Sequence, residues 1–88
     1  MNSSEIQSLR KHLRLNQVEF AQLCGVHPIT VSKWERGEAS PTPYQNALFA
    51  QFREGSQKPE IRDSLKDTLV AAGVIVALAL LLSHLMKK

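Results

Sequence analysis

Residues 17–37 read QVEFAQLCGVHPITVSKWERG, and the small and apolar residues in this stretch decide the fold. The small side chain of Ala21 allows two helices to cross closely. Four residues later, Gly25 allows a sharp turn, because glycine adopts positive φ readily. Val31 and Trp34 follow at a spacing that places both on the inner face of a second helix. The stretch therefore predicts two helices joined by a short turn, with the second packed across the first.

Polar cap residues mark where each predicted helix begins, because their side chains can accept from N–H groups that lack partners inside the helix. The caps are Ser4, Asn16, His27 and Thr42, and the helices they open run over about 5–13, 17–24, 28–36 and 43–53. No segment alternates polar and apolar residues, so no strand is predicted. Residues 55–58 are polar and predict a linker, after which Pro59 can open another helix.

This pattern resembles the lambda-repressor/Cro-like helix-turn-helix family, also called Xre-type. The resemblance covers about residues 4–53. It rests on the small residue at position 21, Gly25, the inward Val31 and the Trp-Glu-Arg-Gly ending at residues 34–37. It implies an all-α domain of four short helices whose third helix lies in the major groove of double-stranded DNA. The alternative is a four-helix bundle with the same spacing by accident.

The resemblance implies a set of DNA contacts on the second and third helices. Gln17 is expected to meet a phosphate, because the start of a helix favours an anion. Lys33 can donate to guanine, and Ile29 can contact a thymine methyl. Pro28 and Ile29 depart from the polar residues often used there, so Lys33 and Ser32 are the better candidates for base readout. The full predicted set is Arg10, Asn16, Gln17, His27, Pro28, Ile29, Thr30, Ser32, Lys33 and Arg36, with His27, Thr30 and Arg36 placed for phosphates.

The resemblance also implies a bond between two charged residues outside the turn. Related domains link an arginine of the first helix to the glutamate that follows the tryptophan, here Arg10 and Glu35. Such a bond would orient Arg10 beside the DNA backbone. The alternative is two unpaired surface charges, and a surface ion pair would add little stability.

The composition fits one small domain with an appendage and a polyanionic partner. The 88 residues include 11 Lys and Arg against 8 Asp and Glu, a net charge of +3. Cys24 is the single cysteine and is expected to be a small buried hydrophobe rather than a redox sensor. The three histidines are too scattered for a metal site, and the polar amino terminus predicts no secretory signal peptide. No nucleophile–base pair or phosphate loop is present, so neither an enzyme nor a cofactor is predicted.

The carboxyl-terminal part is far more apolar than the rest. Residues 69–88 contain 15 apolar residues of 20, whereas residues 1–68 contain 23 of 68. Residues 69–82 carry no polar side chain, and the 19 residues 68–86 carry no formal charge. A helix of that length spans about 28 Å, close to the roughly 30 Å of a hydrocarbon core. We therefore predict a helix-turn-helix domain at 1–57 and a long hydrophobic carboxyl-terminal helix within 58–88.

Two interpretations of this tail remain open. It can be a membrane anchor that holds a cytoplasmic DNA-binding domain at the inner face of the cell membrane, with Lys87 and Lys88 snorkelling to the surface. It can also be an oligomerisation core in which tails of two or more protomers bury one another. Gly73 and Ala77 form a small-xxx-small pair that would permit close helix contact in either case.

The function that follows is a sequence-specific transcriptional regulator that binds double-stranded DNA as a homodimer. Repression is expected because the short chain offers no separate activation or ligand domain. The alternative is a membrane-associated protein-interaction module that uses the helix-turn-helix fold without DNA, since fold does not settle function. The modest charge of residues 1–57, six Lys and Arg against five Asp and Glu, keeps this alternative open.

Overall fold

The computed structural model of the chain describes residues 1–86, and over that range the fold is all-helical without a strand, as predicted. The role predicted for Lys87 and Lys88 lies outside these residues. Six α-helices are followed by a 3₁₀ turn at Ser83–Met86. The helices are α1 (Ser3–His12), α2 (Gln17–Cys24), α3 (Pro28–Glu35), α4 (Pro43–Ser56), α5 (Pro59–Ala72) and α6 (Val74–Leu81).

The predicted caps at the starts of α2 and α4 are confirmed. Asn16 accepts from the Glu19 N–H at 2.8 Å, and the Glu19 carboxylate accepts from the Asn16 N–H at 2.9 Å. Thr42 and Gln45 form the same reciprocal pair at the start of α4. These local bonds occupy N–H groups that a helix start leaves without partners, so they fix both boundaries.

Helix α1 begins earlier than predicted. Asn2 and Glu5 form its capping box, so the predicted cap Ser4, whose partner in the sequence pattern would be Gln7, is not the cap. Helix α1 therefore starts at Ser3. Both sequence pairs fit the capping pattern, but Glu5 places a negative charge in the first turn, where the helix dipole favours it over a neutral glutamine.

An aromatic cluster from α2, α3 and α4 forms the centre of the core. Phe20 stacks on Phe49 with ring centroids 5.8 Å apart, and Trp34 meets Phe49 edge-on at 5.3 Å. Phe52 meets Phe20 edge-on at 6.5 Å. Phe49 and Phe52 are fully buried, and Leu48 is half-buried against the same cluster. Aromatic rings bury a large apolar area and gain further from offset or edge-to-face contacts, so this cluster contributes much of the core's stability.

The predicted long carboxyl-terminal helix is wrong. At Gly73 the backbone has φ 93° and ψ 178°, which ends α5 and begins α6 in a new direction. Helices α5 and α6 pack against each other and together form what we call the C-terminal hairpin, residues 59–81. Ala77 is fully buried within this chain, so it cannot make the predicted contact with another protomer.

The C-terminal hairpin shares its core with the first four helices. Its buried side chains are Ile61, Leu65, Leu69, Ala77 and Leu81, and they join the same apolar cluster. The predicted polar linker is also wrong at its start, because Gly55 and Ser56 are buried at the end of α4. A Cβ built on Gly55 would clash with the Leu81 carbonyl oxygen, so α6 can approach α4 there only because residue 55 has no side chain. Among residues 1–86, no helix has the length and apolar character required to cross a bilayer.

Candidate nucleic-acid interface

The turn between α2 and α3 is held by backbone hydrogen bonds around Gly25. Gly25 adopts φ 70° and ψ 32°, the left-handed conformation that suits glycine. The Val26 N–H donates to the Ala21 carbonyl at 3.0 Å, and the Gly25 N–H donates to the Gln22 carbonyl at 3.3 Å. This is the Schellman pattern for ending a helix, and it sets the angle at which α3 leaves α2.

Helix α3 has one buried face and one open face. Val31 and Trp34 are buried against the core. On the other side Lys33 is exposed and Ile29 is 57% exposed, while Ser32 is half-buried. Of the predicted reading positions on α3, Ile29 and Lys33 are therefore accessible, whereas Ser32 is only partly so.

His27 caps the start of α3, and Pro28 is its first residue. The His27 ring nitrogen Nδ1 accepts from the Ile29 N–H at 3.1 Å, which occupies that nitrogen in capping. Pro28 occupies the first turn, where its missing N–H costs no hydrogen bond. Thr30, half-buried, donates its backbone N–H to the His27 carbonyl. A phosphate contact by His27 would therefore use its other ring nitrogen, Nε2.

The predicted bond between Arg10 and Glu35 is confirmed. Arg10 donates from Nε and Nη2 to the two carboxylate oxygens of Glu35, at 2.6 and 2.9 Å, and from Nη1 to the Leu15 carbonyl at 3.0 Å. The side chains are only 12% and 4% exposed. Arg10 thus links α1 to both the α1–α2 loop and α3. It therefore fixes the positions of α2 and α3 relative to α1.

Gln17 joins the same cluster from the start of α2. Its Nε2 donates to Glu35 Oε1 at 3.2 Å. Burial acts to raise the pKa of Glu35, but hydrogen bonds from Arg10 and Gln17 and the charges of Arg10 and Lys11 outweigh it and lower that pKa. The Gln17 side chain is thus engaged internally. Its backbone N–H, at the first helical position, has no intrahelical acceptor and points the way a phosphate would approach.

Arg36, another predicted phosphate contact, is already paired with a residue the sequence reasoning missed. Its guanidinium donates to both carboxylate oxygens of Glu38, at 2.7 and 3.1 Å, and to the Ser32 hydroxyl. The hydrogen bond lowers the pKa of Glu38 and raises the pKa of Arg36. Gly37, at φ 73°, reverses the chain so that Glu38 faces back toward Arg36. The sequence signal that could have predicted this pair was Gly37, which separates Arg36 from Glu38 and allows the chain to turn.

Four of the ten predicted residues therefore belong to two hydrogen-bonded groups, one mostly buried and one at the surface. Arg10 and Gln17 meet at Glu35, and Ser32 and Arg36 meet near Glu38. The remaining predicted residues lie at the two helix starts or on the exposed side of α3: Asn16, His27, Pro28, Ile29, Thr30 and Lys33.

Cys24 packs as the sequence suggested. It is half-buried beside the core, and burial raises the pKa of its thiol to about 12, which disfavours the reactive thiolate. Among the described residues 1–86, no group of His, Cys, Asp or Glu side chains is arranged to hold a metal ion.

Comparison with known families identifies the same segment. The sequence model of a family described as Helix-turn-helix matches residues 6–44, which run from α1 to the start of α4. No curated protein and no solved structure matches the chain. The resemblance stated from the sequence is therefore confirmed at the level of the family, and the match supports a DNA-binding transcription regulator.

Proposed function

We propose that this chain, which belongs through residues 6–44 to the lambda-repressor/Cro-like helix-turn-helix family, is a transcriptional repressor that binds two DNA half-sites as a dimer. Helix α3 enters the major groove, and the start of α2 meets the adjacent phosphates. A single helix-turn-helix buries a modest interface, so paired half-sites supply the specificity that one copy lacks.

The observation that carries this proposal is the open face of α3. Val31 and Trp34 anchor the helix from behind, and the Arg10–Glu35 pair fixes it against α1, so the exposed side is held rigidly. A rigid helix can present base-reading side chains with little ordering cost on binding. Lys33 then donates to guanine O6 or N7, and Ile29 packs on a thymine methyl.

Phosphate contacts position the domain without reading sequence. The Gln17 backbone N–H lies at the positive end of the α2 dipole, where an anion is favoured. Arg36 is available to a second phosphate once it releases Glu38. Because both groups are exposed at the surface, the exchange of one carboxylate for a phosphate costs little.

A second candidate function is recognition of another protein by the same α3 face. Ile29 and Pro28 make the start of α3 apolar, and residues 1–57 carry only one more Lys and Arg than Asp and Glu. Most DNA-binding surfaces are more basic than this. The experiment below separates the two functions, because only one of them yields a selected DNA sequence.

Binding-site selection from random duplex DNA tests the proposal. Full-length protein should enrich one motif, and Lys33→Ala should lower affinity for it by about 1–3 kcal/mol and relax preference at one base position. Gln17→Ala keeps the backbone N–H that meets the phosphate and removes only the side-chain hydrogen bond to Glu35, so it should leave the selected motif unchanged. Lys11→Ala removes the same charge from α1 and serves as the control for Lys33→Ala.

The outcomes separate the proposals clearly. Failure to enrich any motif would favour the protein-recognition function. Enrichment with an unchanged motif and affinity for Lys33→Ala would retain DNA binding but transfer the reading role to other residues of α3.

A further inference from the structure

A groove runs between α1 and α4, apart from the helix-turn-helix. It is lined by one side of α1, between Ser4 and His12, and by Arg53 and Gln57 at the end of α4. We call it the α1–α4 groove. Its volume of about 330 Å³ is at the small end of the range for pockets that hold small molecules. Its lining residues come from α1 and the end of α4, whereas the face proposed to read DNA belongs to α3.

The α1–α4 groove combines an apolar floor with a polar rim. Leu9 lines it and is only 5% exposed, so its side chain forms the floor. Ser4, Ser8 and His12 are spaced four residues apart, which places them along one face of α1, and all three are exposed. Small-molecule sites commonly join an apolar surface to a few polar groups that fix the orientation of the ligand.

Arg53 differs from the other arginines of the chain. The other four each lie within 3.2 Å of a carboxylate oxygen: Arg10, Arg14, Arg36 and Arg62. The exposed side chain of Arg53 has no hydrogen-bond or ion-pair partner among residues 1–86. Glu5 lines the same groove, but its carboxylate accepts from the Asn2 N–H at 2.9 Å as part of the α1 cap. The groove therefore holds a guanidinium whose donors are unused.

Two more polar groups of the groove are unused by the fold. Within the described residues 1–86, neither the Ser8 hydroxyl nor the His12 ring forms a hydrogen bond. Gln57 differs from them, because its Nε2 donates to the Arg53 carbonyl at 3.2 Å. Donors on α1 and a guanidinium on α4 thus face one groove from its two sides, and the fold employs none of them.

We propose that the α1–α4 groove binds a small organic oxyanion, a carboxylate or a phosphate ester carried on an apolar body. The forked guanidinium of Arg53 donates to two oxygens of such a group at once. The Ser8 hydroxyl and a ring N–H of His12 supply donors from α1. The apolar body packs on Leu9. Because the ligand contacts both helices only in the folded chain, its binding also stabilises the fold.

Amide chemical shifts of the ¹⁵N-labelled full-length chain, titrated without DNA, test the site. The probes are benzoate and phenyl phosphate, which present the two oxyanions on a phenyl ring, and benzamide, a neutral analogue of benzoate. Both anions should shift the amides of residues 4–12, Arg53 and Gln57, with dissociation constants of about 0.1–10 mM for ligands this small. Benzamide should bind at least about tenfold more weakly, because it lacks the charge that strengthens the bonds from Arg53.

Two variants remove the site in different ways. Arg53→Gln removes the charge and the fork and should weaken the binding of both anions at least about tenfold. Ser8→Leu fills the groove and should weaken the binding of all three probes. Arg14→Gln is the matched control, because the Arg14 side chain is 60% exposed outside the groove, and it should leave both anion affinities unchanged.

Far-UV circular dichroism of each variant confirms that its helices are intact. Arg53 and Ser8 are both exposed, so neither substitution disturbs the core. Should one of the two variants fail to fold, the other still decides the question.

The order of affinities identifies the oxyanion. Tighter binding of benzoate assigns a carboxylate and tighter binding of phenyl phosphate assigns a phosphate ester, and either result supports the proposal.

Three results would overturn the proposal. One is the absence of shifts at the groove amides with about 20 mM of either anion. Another is anion binding that Arg53→Gln leaves unchanged. The third is benzamide binding as tight as that of benzoate, which would make the groove an apolar site without preference for an oxyanion. Because no DNA is present, none of these results depends on the function proposed for α3.

Discussion

The starts of α2, α3 and α4 can be read from single residues, whereas the C-terminal hairpin cannot be read in this way. Each of those three helices begins at a side-chain cap, and so does α1. Neither α5 nor α6 has a side-chain cap hydrogen bond, and α6 is apolar on every side. Caps encode a boundary locally, and a one-sided apolar pattern encodes which face is buried. In an apolar run that has neither caps nor a one-sided pattern, the surrounding structure decides both where the helix ends and which face is buried.

Removal of the C-terminal hairpin should lower the stability of the chain more than any of the substitutions below. Truncation after Gln57 deletes four large buried side chains at about 1.5–3 kcal/mol each, a gross loss comparable to the whole stability of a small domain. We therefore expect residues 1–57 to keep only part of the helical circular dichroism, even at low temperature, and to lose the sharp cooperative melt of the full chain. A native melting temperature would show that the hairpin is an independent appendage. A truncated chain without helix at any temperature would show that the two parts fold only together.

Glu35→Gln should have the next largest effect, because it breaks the contact that holds α3. It leaves Arg10 buried without its charged partner, which costs about 3–5 kcal/mol in such pairs. Urea denaturation measures the loss. Glu38→Gln is the matched control, since the Arg36–Glu38 pair is exposed and should matter little. Equal effects of the two variants would contradict the central position given to Arg10 and Glu35.

The same pair predicts how stability depends on pH. The pKa of Glu35 is lower in the folded chain than the value of about 4.3 for an unfolded one. The unfolded state therefore binds more protons in that window, and stability rises with pH there. The contribution of Glu35 is complete above about pH 4.3 and is lost as the pH falls through the folded value. Glu35→Gln should flatten this part of the wild-type curve.

Alanine substitutions at Gly25 and Gly73 should have the smallest effects on stability, and they compare the two regions most directly. A Cβ would meet nothing within 4 Å at Gly25 or Gly73, so only backbone conformation distinguishes Gly25→Ala from Gly73→Ala. Gly25 is left-handed, which costs another residue about 1–2 kcal/mol. Gly73 combines φ 93° with ψ 178°, a region almost restricted to glycine, and should cost roughly 2–3 kcal/mol.

The two variants should also differ in helix content. Gly73→Ala can relieve its strain when α5 and α6 fuse into one continuous helix, so stability should fall while helical circular dichroism stays level or rises. Gly25→Ala has no such route, because Val26 and the cap at His27 interrupt the helix. A larger loss of stability in Gly25→Ala than in Gly73→Ala would refute the assignment of Gly73 as the more constrained position.

Much of the candidate site followed from the sequence because its parts are local. The turn at Gly25 and the caps at Asn16 and Thr42 involve residues a few positions apart, so their spacing predicts them. The link from Arg10 to Glu35 joins residues 25 positions apart, and only the resemblance to a family implied it. Glu38 was missed because its role depends on the direction the chain takes after Gly37.

What the sequence determined by itself is the helical class, most helix boundaries of the first four helices and the turn that positions α3. These depend on capping, on backbone freedom at glycine and on one-sided periodicity, all of which act within a few residues. Only the tertiary structure decided that Phe49 stacks on Phe20, that α6 turns back at Gly73, and that Gly55 receives the Leu81 carbonyl. The physical reason is that an apolar helix without a polar side must be buried, and its own sequence does not specify whether a membrane, another copy or its own domain buries it.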